Sequence, residues 1–328
     1  MIITRTPFRI TLGGGGTDLP AYYEKYGGFI FSAGINQYMF VTVSRPAEDN
    51  LIRLKYRESE CVEKIDDLKH PLAREILRHM GINHQIEISS VADVSARTGL
   101  GSSSCYAVGV LNALHALKRE HVSLIALAEE DFAIEVGVLK RPIGKQDPYL
   151  AALGGLTVLD IGKNGTVFVR KAGVSEDSAE ILNRNMMVFF TGVTRDADGI
   201  LKEQAKHLNG KKKEVVESMH YIKELGYKIL DALESDQVDR VGALFDEHWE
   251  YKKKISQAMS NPKFDAIYQA AKEAGALGGK ISGAGGGGFF TFYVPEHHNK
   301  FRAAMKRFGL RELRYRFDFE GSKVLVDF

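Results

Sequence analysis

Cysteine and tryptophan are scarce in this chain of 328 residues, which has one tryptophan and two cysteines, Cys61 and Cys105. Two cysteines are too few for a disulfide framework. Cys105 follows a cluster of serines, but buried cysteines are usually inert, so we assign it no role. No run approaches the roughly 18 apolar residues of a membrane span, and the N-terminus lacks the apolar region of a signal peptide. We therefore expect a cytoplasmic protein that makes no use of a membrane.

An excess of charge of either sign is also missing. The 44 basic and 42 acidic residues leave a formal net charge of +2 at pH 7. This balance gives no reason to propose nucleic acid or a membrane surface as a partner, which leaves small-molecule chemistry. A chain of 328 residues with 44% hydrophobic content can bury a large core, and its length suggests two lobes.

Glycine, by contrast, is plentiful, and one cluster of glycines and serines opens directly into the apolar run at residues 106–111. Such a cluster gathers backbone N–H groups, the positive end of a helix dipole and hydroxyls, which together suit a phosphate or Mg²⁺. A simple helix N-cap explains the same cluster equally well. The cluster consists of Thr98, Gly99, Leu100, Gly101, Ser102, Ser103 and Ser104.

Two carboxylates follow this cluster. Glu135 ends an apolar helical stretch, and Asp147 lies in a turn rich in Gly and Pro before a new helix. Phosphoryl transfer uses one carboxylate to hold the metal ion and another to orient or deprotonate the attacking hydroxyl. Each residue also has a structural interpretation, Glu135 as a solvated helix-face residue and Asp147 as the N-cap before Pro148. Position alone favours the structural interpretations.

A late glycine-rich loop, residues 278–288, contains the pattern G-x-G-x-x-G between Gly283 and Gly288. The dinucleotide-binding fingerprint needs a strand before it and a helix after it. Here a helix is predicted before the loop and a strand after it. The Walker pattern is absent as well, because Lys280 is followed by Ile281 and not by Ser or Thr. Rossmann and P-loop folds are therefore disfavoured.

Together, three ordered glycine-rich segments and the acidic pair between them resemble the GHMP small-molecule kinases over nearly the whole chain. Residues 5–18, which end in Gly-Gly-Gly-Gly-Thr-Asp, are similar to the first family motif, residues 99–104 to the second and residues 280–288 to the third. Within the family, the opening segment and Gly-Lys-Gln-Asp at residues 144–147 look most similar to bacterial D-glycero-D-manno-heptose 7-phosphate kinases.

The first motif departs from one branch of that family. Gly15 and Gly16 stand where galactokinases carry a Glu-His pair. The loss of a carboxylate and an imidazole removes hydrogen-bonding groups for a neutral hexose and leaves room for a bulkier or charged sugar. We therefore expect sugar recognition to differ from that of a galactokinase.

The resemblance implies an α+β fold with two lobes. An N-terminal β/α lobe, residues 1–180, would hold the nucleotide and catalytic motifs, and a C-terminal ferredoxin-like α+β lobe, residues 181–328, the third motif. The polar stretch 172–185 is the best candidate for the boundary. Hydrophobic patterning predicts strands at 8–12, 29–33, 38–44, 51–56, 85–91, 157–161, 167–169, 186–191, 289–294, 313–317 and 323–326. It predicts helices at 72–80, 103–117, 124–136, 149–153, 299–307 and through most of 198–274, where residues 252–254 (Lys-Lys-Lys) are assigned to a solvated face.

The same resemblance implies roles for the motif residues. The backbone amides of residues 99–104 would hold the ATP phosphates, and Ser103, or a neighbouring serine, would bind Mg²⁺ together with Glu135. Asp147 would accept the proton of the sugar hydroxyl. Arg9 would stabilise the charge on the transferred phosphoryl group, although a salt-bridged strand residue is the structural alternative.

The acceptor side follows in the same way. Asp18 would bind sugar hydroxyls, with a turn aspartate as the structural alternative. The third loop would press its backbone against the site, or would be a tight helix-to-strand connection. A phosphorylated substrate also needs a cationic clamp, and each candidate for it could equally be solvated. The predicted substrate-binding residues are Gly15, Gly16, Thr17, Asp18, Gly283 and Gly285, with Arg141, Lys145 and Arg195 as clamp candidates.

The expected reaction transfers the γ-phosphoryl group of ATP to the anomeric hydroxyl of D-glycero-D-manno-heptose 7-phosphate in nucleotide-activated heptose biosynthesis. The expected partners are the sugar phosphate and ATP, with Mg²⁺ as cofactor, and the protein would be a monomer or a homodimer. One alternative is a 1-kinase for an unphosphorylated sugar such as L-fucose, L-arabinose or galactose. Another is a catalytically silent sugar and nucleotide sensor, against which the presence of Ser103, Glu135 and Asp147 argues.

Overall fold

The computed structural model describes residues 1–194, 197–210, 212–256 and 259–328. These residues form one sheet of eight strands and one of four, with helices packed against both. The expected α+β class is confirmed.

The larger sheet is built mainly from the first half of the chain. Its order is β12-β1-β2-β5-β3-β4, with β6 also paired to β2 and β7 paired to β6, and only β3 and β5 run parallel. Its strands are β1 (Ile2–Gly13), β2 (Gly28–Ser44), β3 (Ile52–Lys55), β4 (Ser59–Val62), β5 (Ile86–Ala92), β6 (Leu156–Ile161), β7 (Val167–Lys171) and β12 (Lys323–Asp327).

Strand β2 is a single strand of 17 residues, whereas the sequence predicts two shorter ones. Its first part pairs with β6 and its last part with β5, so the two halves have different neighbours. The register against β1 shifts between Pro7 and Phe8, opposite the polar residues Asn36 and Gln37. Proline has no N–H to give to the ladder, so it suits a bulge. The polar pair therefore marks a bulge within one strand and not a turn between two.

Five helices cover the larger sheet and carry the residues of interest. Helix α3 is buried along most of its length and packs on β1 and β2, which explains its nearly continuous apolar sequence. A π-helical turn, Ala133–Val138, continues directly from α4. The helices are α1 (Pro20–Tyr26), α2 (Pro71–His79), α3 (Ser102–Leu117), α4 (Leu124–Phe132) and α5 (Gln146–Leu153).

The smaller sheet has the antiparallel order β11-β8-β10-β9. This is the strand order of a ferredoxin-like unit, as the family resemblance implies. Its strands are β8 (Met186–Phe190), β9 (Gly278–Ile281), β10 (Phe289–Tyr293) and β11 (Arg311–Leu313). Trp249 is fully buried against Phe290, in a core rich in phenylalanine.

Six further helices belong to the second half of the chain. Helix α8 packs on β1 and β2 and also on α9, which packs on β9 and β10, so these two helices connect the two sheets. Within the described ranges, no helix combines the length and the apolar character needed to cross a bilayer. The helices are α6 (Glu176–Asn185), α7 (Ala197–Asn209), α8 (Lys213–Glu234), α9 (Arg240–Ile255), α10 (Pro262–Glu273) and α11 (His298–Arg307).

Two segments of the chain add to the predicted elements or change them. The polar stretch proposed as a boundary, for which no element was predicted, folds mostly into α6, whose start is capped by the Ser175 hydroxyl, which accepts a hydrogen bond from the Ser178 N–H. The strand predicted at 313–317 ends at Leu313, and Phe317 instead forms an isolated bridge with Ile35 of β2. From there the chain returns to the larger sheet, where β12 pairs with β1.

Candidate active site

The glycine–serine segment, residues 98–104, forms a tight loop that leads into α3. Gly99 and Gly101 have φ angles of +81° and +83°, which residues with a Cβ rarely adopt. In the described chain no side chain caps the start of α3, so the serines do not act as its N-cap. The first N–H groups of this helix, at its positive dipole end, therefore remain available to an anion.

Glu135 lies in the π-helical turn and faces this loop. Its Oε2 accepts a hydrogen bond from the Ser103 hydroxyl at 2.6 Å, and its Oε1 accepts one from the Ser104 hydroxyl at 3.0 Å. The Arg141 guanidinium lies 2.5 Å from Glu135 Oε2 and 2.6 Å from Ser103 Oγ. Glu135 has no solvent exposure, so its interpretation as a solvated helix-face residue is wrong.

Arg9 and Asp147 form an ion pair beside the same loop. The Arg9 Nε and Nη2 atoms donate to Asp147 Oδ1 at 2.7 and 2.5 Å, and Nη1 donates to the Gly99 carbonyl at 2.7 Å. Asp147 is the second residue of α5, and its side chain does not cap that helix, so the N-cap interpretation is wrong. The pair thus places a basic and an acidic group next to the candidate phosphate loop.

Asp18 is held by backbone groups of two segments. Its carboxylate accepts hydrogen bonds from the Gly16 N–H at 3.1 Å and from the Gln146 N–H at 2.9 Å. Burial raises the pKa of Asp18 to about 6, against the lowering effect of the Gln146 hydrogen bond. Thr17 differs, because its hydroxyl is fully buried and bonds with the Gly14 carbonyl and with both the carbonyl and the N–H of Phe29. The Thr17 hydroxyl is therefore engaged within the protein and does not face the substrate.

The clamp candidates are engaged elsewhere. Arg141 contacts Glu135 and Ser103, and the buried Lys145 ammonium lies 2.6 Å from Glu129 Oε2. Arg195 lies outside the described residues. Neither Arg141 nor Lys145 lines the cavity described below, because each is turned toward a carboxylate near the end of α4.

The third glycine-rich loop connects two strands. The first residues of the predicted loop form β9, and the loop at residues 283–288 joins β9 to β10, so its interpretation as a helix-to-strand connection is wrong. The loop packs directly against the glycine–serine loop. A Cβ on Gly288 would lie 2.1 Å from the Thr98 carbonyl oxygen, and one on Gly283 would lie 2.8 Å from the Gly99 Cα. Only glycine fits at these two positions, which bring the first and last thirds of the chain together.

A cavity between these segments is lined by four of the predicted acceptor residues and by both predicted catalytic residues. Those that line it are Arg9, Gly15, Gly16, Asp18, Asp147 and Gly283. Among the residues predicted to bind the acceptor, Thr17, Arg141, Lys145 and Gly285 do not line it.

The cavity also contains three residues that the sequence analysis missed, His248, Lys252 and Lys280. Lys252 was assigned to a solvated helix face, but it is buried. The sequence does indicate this burial, because Lys252 follows Phe245 by seven residues and Trp249 by three. It therefore shares the buried face of α9.

Comparisons with known proteins agree with this geometry. Residues 68–155 match the family model for the GHMP kinases N terminal domain, and residues 229–310 match the GHMP kinases C terminal model. The chain is 30% identical to a D-glycero-alpha-D-manno-heptose 7-phosphate kinase of Campylobacter jejuni, over 98% of both chains. It is 24% identical to a mevalonate kinase of Pyrococcus horikoshii, over 94% of this chain and 85% of that one. A crystal structure of a D-glycero-D-manno-heptose 1-phosphate kinase from Bacteroides thetaiotaomicron superposes over 100% of both chains with a TM-score of 0.83 and 24% identity.

Proposed function

Because the chain belongs to the GHMP kinase family, we propose that this ATP-dependent sugar kinase phosphorylates the anomeric hydroxyl of D-glycero-D-manno-heptose 7-phosphate to give the 1,7-bisphosphate. The observation that carries the proposal is the Arg9–Asp147 ion pair, which lies between the glycine–serine loop and the acceptor cavity. The choice of sugar is supported by the similarity to the heptose 7-phosphate kinase over nearly the full chain. The product would feed the synthesis of a nucleotide-activated heptose.

In this proposal, the glycine–serine loop binds the nucleotide. The backbone N–H groups of residues 99–104 bind the ATP phosphates, and the start of α3 adds its dipole. This placement directs the γ-phosphoryl group toward Arg9, whose Nη1 contacts the Gly99 carbonyl.

The donor set at Glu135 fits a magnesium ion. Mg²⁺ prefers oxygen ligands, and a carboxylate and a serine hydroxyl meet here in a buried position. A carboxylate has about four lone-pair sites, and Ser103, Ser104 and Arg141 use three of those of Glu135. Ser103 and Glu135 would hold the ion, which neutralises charge on the nucleotide phosphates when bound.

Asp147 and Arg9 carry the transfer step. The acceptor hydroxyl gives its proton to the Asp147 carboxylate as its oxygen forms a bond to the γ-phosphorus. The bond from that phosphorus to the bridging oxygen of ADP breaks, and ADP leaves with that electron pair. Arg9 orients Asp147 through Nε and Nη2 and places a fixed positive charge beside the phosphoryl oxygens.

Replacing Glu135 with glutamine should raise the Mg²⁺ concentration needed for half-maximal activity by about 10-fold or more. A neutral amide is a weaker ligand for a hard cation than a carboxylate. Titration of activity with MgCl₂ at saturating ATP measures the effect, and Glu176→Gln, an exposed change at the start of α6, is the control. An unchanged Mg²⁺ requirement in a folded Glu135→Gln protein would remove this residue from the metal site.

The acceptor is tested by Mg²⁺- and ATP-dependent phosphorylation of heptose 7-phosphate, mannose, L-fucose, galactose and L-arabinose, with the site of phosphorylation read by ³¹P NMR. We expect the highest kcat/KM with heptose 7-phosphate and a product phosphorylated at the anomeric carbon. Preference for an unphosphorylated sugar would agree with the proposed kinase activity but would contradict heptose 7-phosphate as the acceptor. Binding of sugar and nucleotide without turnover would contradict the proposed activity and support a sensor.

A further inference from the structure

Three buried side chains from the second half of the chain face the acceptor cavity without any acidic partner. Lys252 and Lys280 form no ion pair with a carboxylate in the described chain. His248 lies beside them in the cavity lining, and neither of its buried ring nitrogens has a hydrogen-bond partner among the described residues. These three residues, the Lys–Lys–His cluster, take no part in the proposed transfer step.

The lysine contacts leave hydrogen-bonding capacity unused. Lys252 Nζ donates to the carbonyl of Ile281 at 2.8 Å and to that of Gly283 at 2.6 Å. Lys280 Nζ donates to the Leu12 carbonyl and lies 4.5 Å from the centre of the Phe245 ring. An ammonium group has three N–H donors. At least one donor therefore remains on Lys252 and two on Lys280.

The acidic residues that line the cavity interact with other groups and not with the two lysines. Among the residues that the structure describes, the acids lining the cavity are Asp18 and Asp147, and they are engaged by backbone N–H groups and by Arg9. Burial lowers the pKa of Lys252 to about 7, and burial together with Lys252 lowers the pKa of Lys280. Burial likewise lowers the pKa of His248, so its imidazole is neutral. Unpaired buried cations are costly, and an anion in the cavity would offset that cost.

We propose that Lys252 and Lys280, together with the His248 imidazole, bind the phosphate group that the acceptor already carries. This inference rests on the proposed function and gives its phosphorylated substrate the clamp that Arg141 and Lys145 do not provide. A phosphate dianion accepts several hydrogen bonds, and its negative charge favours the protonated form of both lysines.

The position of Lys280 favours the acceptor phosphate over the transferred phosphoryl group. Its partner Leu12 lies three residues beyond Arg9 on β1, a distance of roughly 10 Å along the strand at about 3.3 Å per residue. Lys280 therefore contacts β1 at a different point from Arg9, whereas Lys252 lies near enough to Arg9 for that positive charge to help lower its pKa. We place the reactive C1 hydroxyl of the seven-carbon sugar at Arg9 and Asp147 and its C7 phosphate toward Lys280.

Charge-removing variants test this assignment. We compare Lys252→Met and Lys280→Met with Lys254→Met, an exposed change on the same helix as Lys252, after thermal unfolding has shown that each protein is folded. The KM for heptose 7-phosphate should rise by roughly 10- to 100-fold in the two cavity variants, since each loses a hydrogen bond to a charged group. The KM for unphosphorylated heptose and the KM for ATP should stay within about twofold of wild type, and Lys254→Met should match wild type throughout.

The outcomes separate this inference from the proposed function. If wild type phosphorylates heptose 7-phosphate and both cavity variants keep its KM, the inference alone is overturned. If the variants instead lose affinity for ATP or lose kcat equally with both sugars, the lysines serve the transferred phosphoryl group and the inference is again overturned. If wild type does not phosphorylate heptose 7-phosphate at all, the proposed function fails and the inference fails with it.

Proton uptake gives a second test on the unmodified protein. At pH 8 the sugar phosphate is already a dianion, and Lys252, with a pKa near 7, is mostly neutral. A bound dianion raises the pKa values of both lysines and so draws protons from solvent. Arg9 and Asp147 face the same cavity as an ion pair, His248 is the third titratable group of the cluster, and Asp18, with a pKa of about 6, is ionised at this pH. Titration calorimetry in buffers of different ionisation enthalpy should show net proton uptake with heptose 7-phosphate and none with unphosphorylated heptose; equal values for the two sugars would overturn the inference.

Discussion

Replacing Asp147 with asparagine should lower kcat by about 10²- to 10⁴-fold, the range that a positioned general base contributes. Asparagine has nearly the same shape, and its amide oxygen can still accept hydrogen bonds from Arg9, but it cannot take the proton of the acceptor hydroxyl. Because the change leaves the cavity walls in place, the KM values for ATP and acceptor should change much less than kcat. Steady-state kinetics with both substrates varied measures each effect separately.

The matched control for this experiment is Asp177→Asn, which removes an exposed carboxylate in the first turn of α6. It makes the same chemical change away from the cavity and should leave kcat unchanged. A folded Asp147→Asn protein that keeps near wild-type turnover would show that another group, or water, accepts the proton.

Arg9→Met should lower kcat by about 10²- to 10³-fold, the effect of removing one preorganised group from a transition-state charge. The variant leaves Asp147 without its cationic partner and leaves the Gly99 carbonyl without the Nη1 donor. Arg9→Lys should recover only part of this loss, since a single ammonium cannot contact the carboxylate and the carbonyl in the same forked geometry.

Pre-steady-state single turnover, which isolates the transfer step, is the appropriate measurement for the Arg9 variants. Arg53→Met, on β3 and paired with Asp49, removes a second arginine of this sheet at a position that does not line the cavity. It should not alter the single-turnover rate. If Arg9→Lys were as active as wild type, the charge alone would matter and the forked contact to Gly99 would have no catalytic role.

Local sequence patterns predicted the position of the glycine–serine loop but not its role. The glycines at 99 and 101 are followed at once by the apolar run of α3, so the position of the loop before a buried helix follows from residues close together in the chain. Glu135 and Asp147 are likewise separated by a short, punctuated stretch. The family resemblance then supplied their roles, which remain proposals.

The acceptor side depends on partners that are distant in sequence. Lys145 has the positive charge expected of a phosphate clamp, but its ammonium group donates a hydrogen bond to Glu129, 16 residues earlier. Lys280 meets Leu12 from 268 residues away, a contact that no local pattern predicts. The prediction for Lys252 was wrong for a different reason. Three adjacent lysines indicated a solvated face, but the helical spacing places the first of them in the core.

The close contact of the third glycine-rich loop with the glycine–serine loop determines where acceptor specificity can be redesigned. Gly283 and Gly288 have no space for even one added carbon, because the opposing atoms belong to the backbone of residues 98 and 99 and cannot rotate away. An insertion or a larger residue there would displace the nucleotide-facing segment along with the acceptor-facing one. The apolar side chains of Leu201 and Ile255 also line the cavity but lie outside that junction, whereas Met259 contacts the third loop at Gly285. Changes in sugar preference should therefore be sought first at Leu201 and Ile255, where the wall can be reshaped while the junction stays fixed.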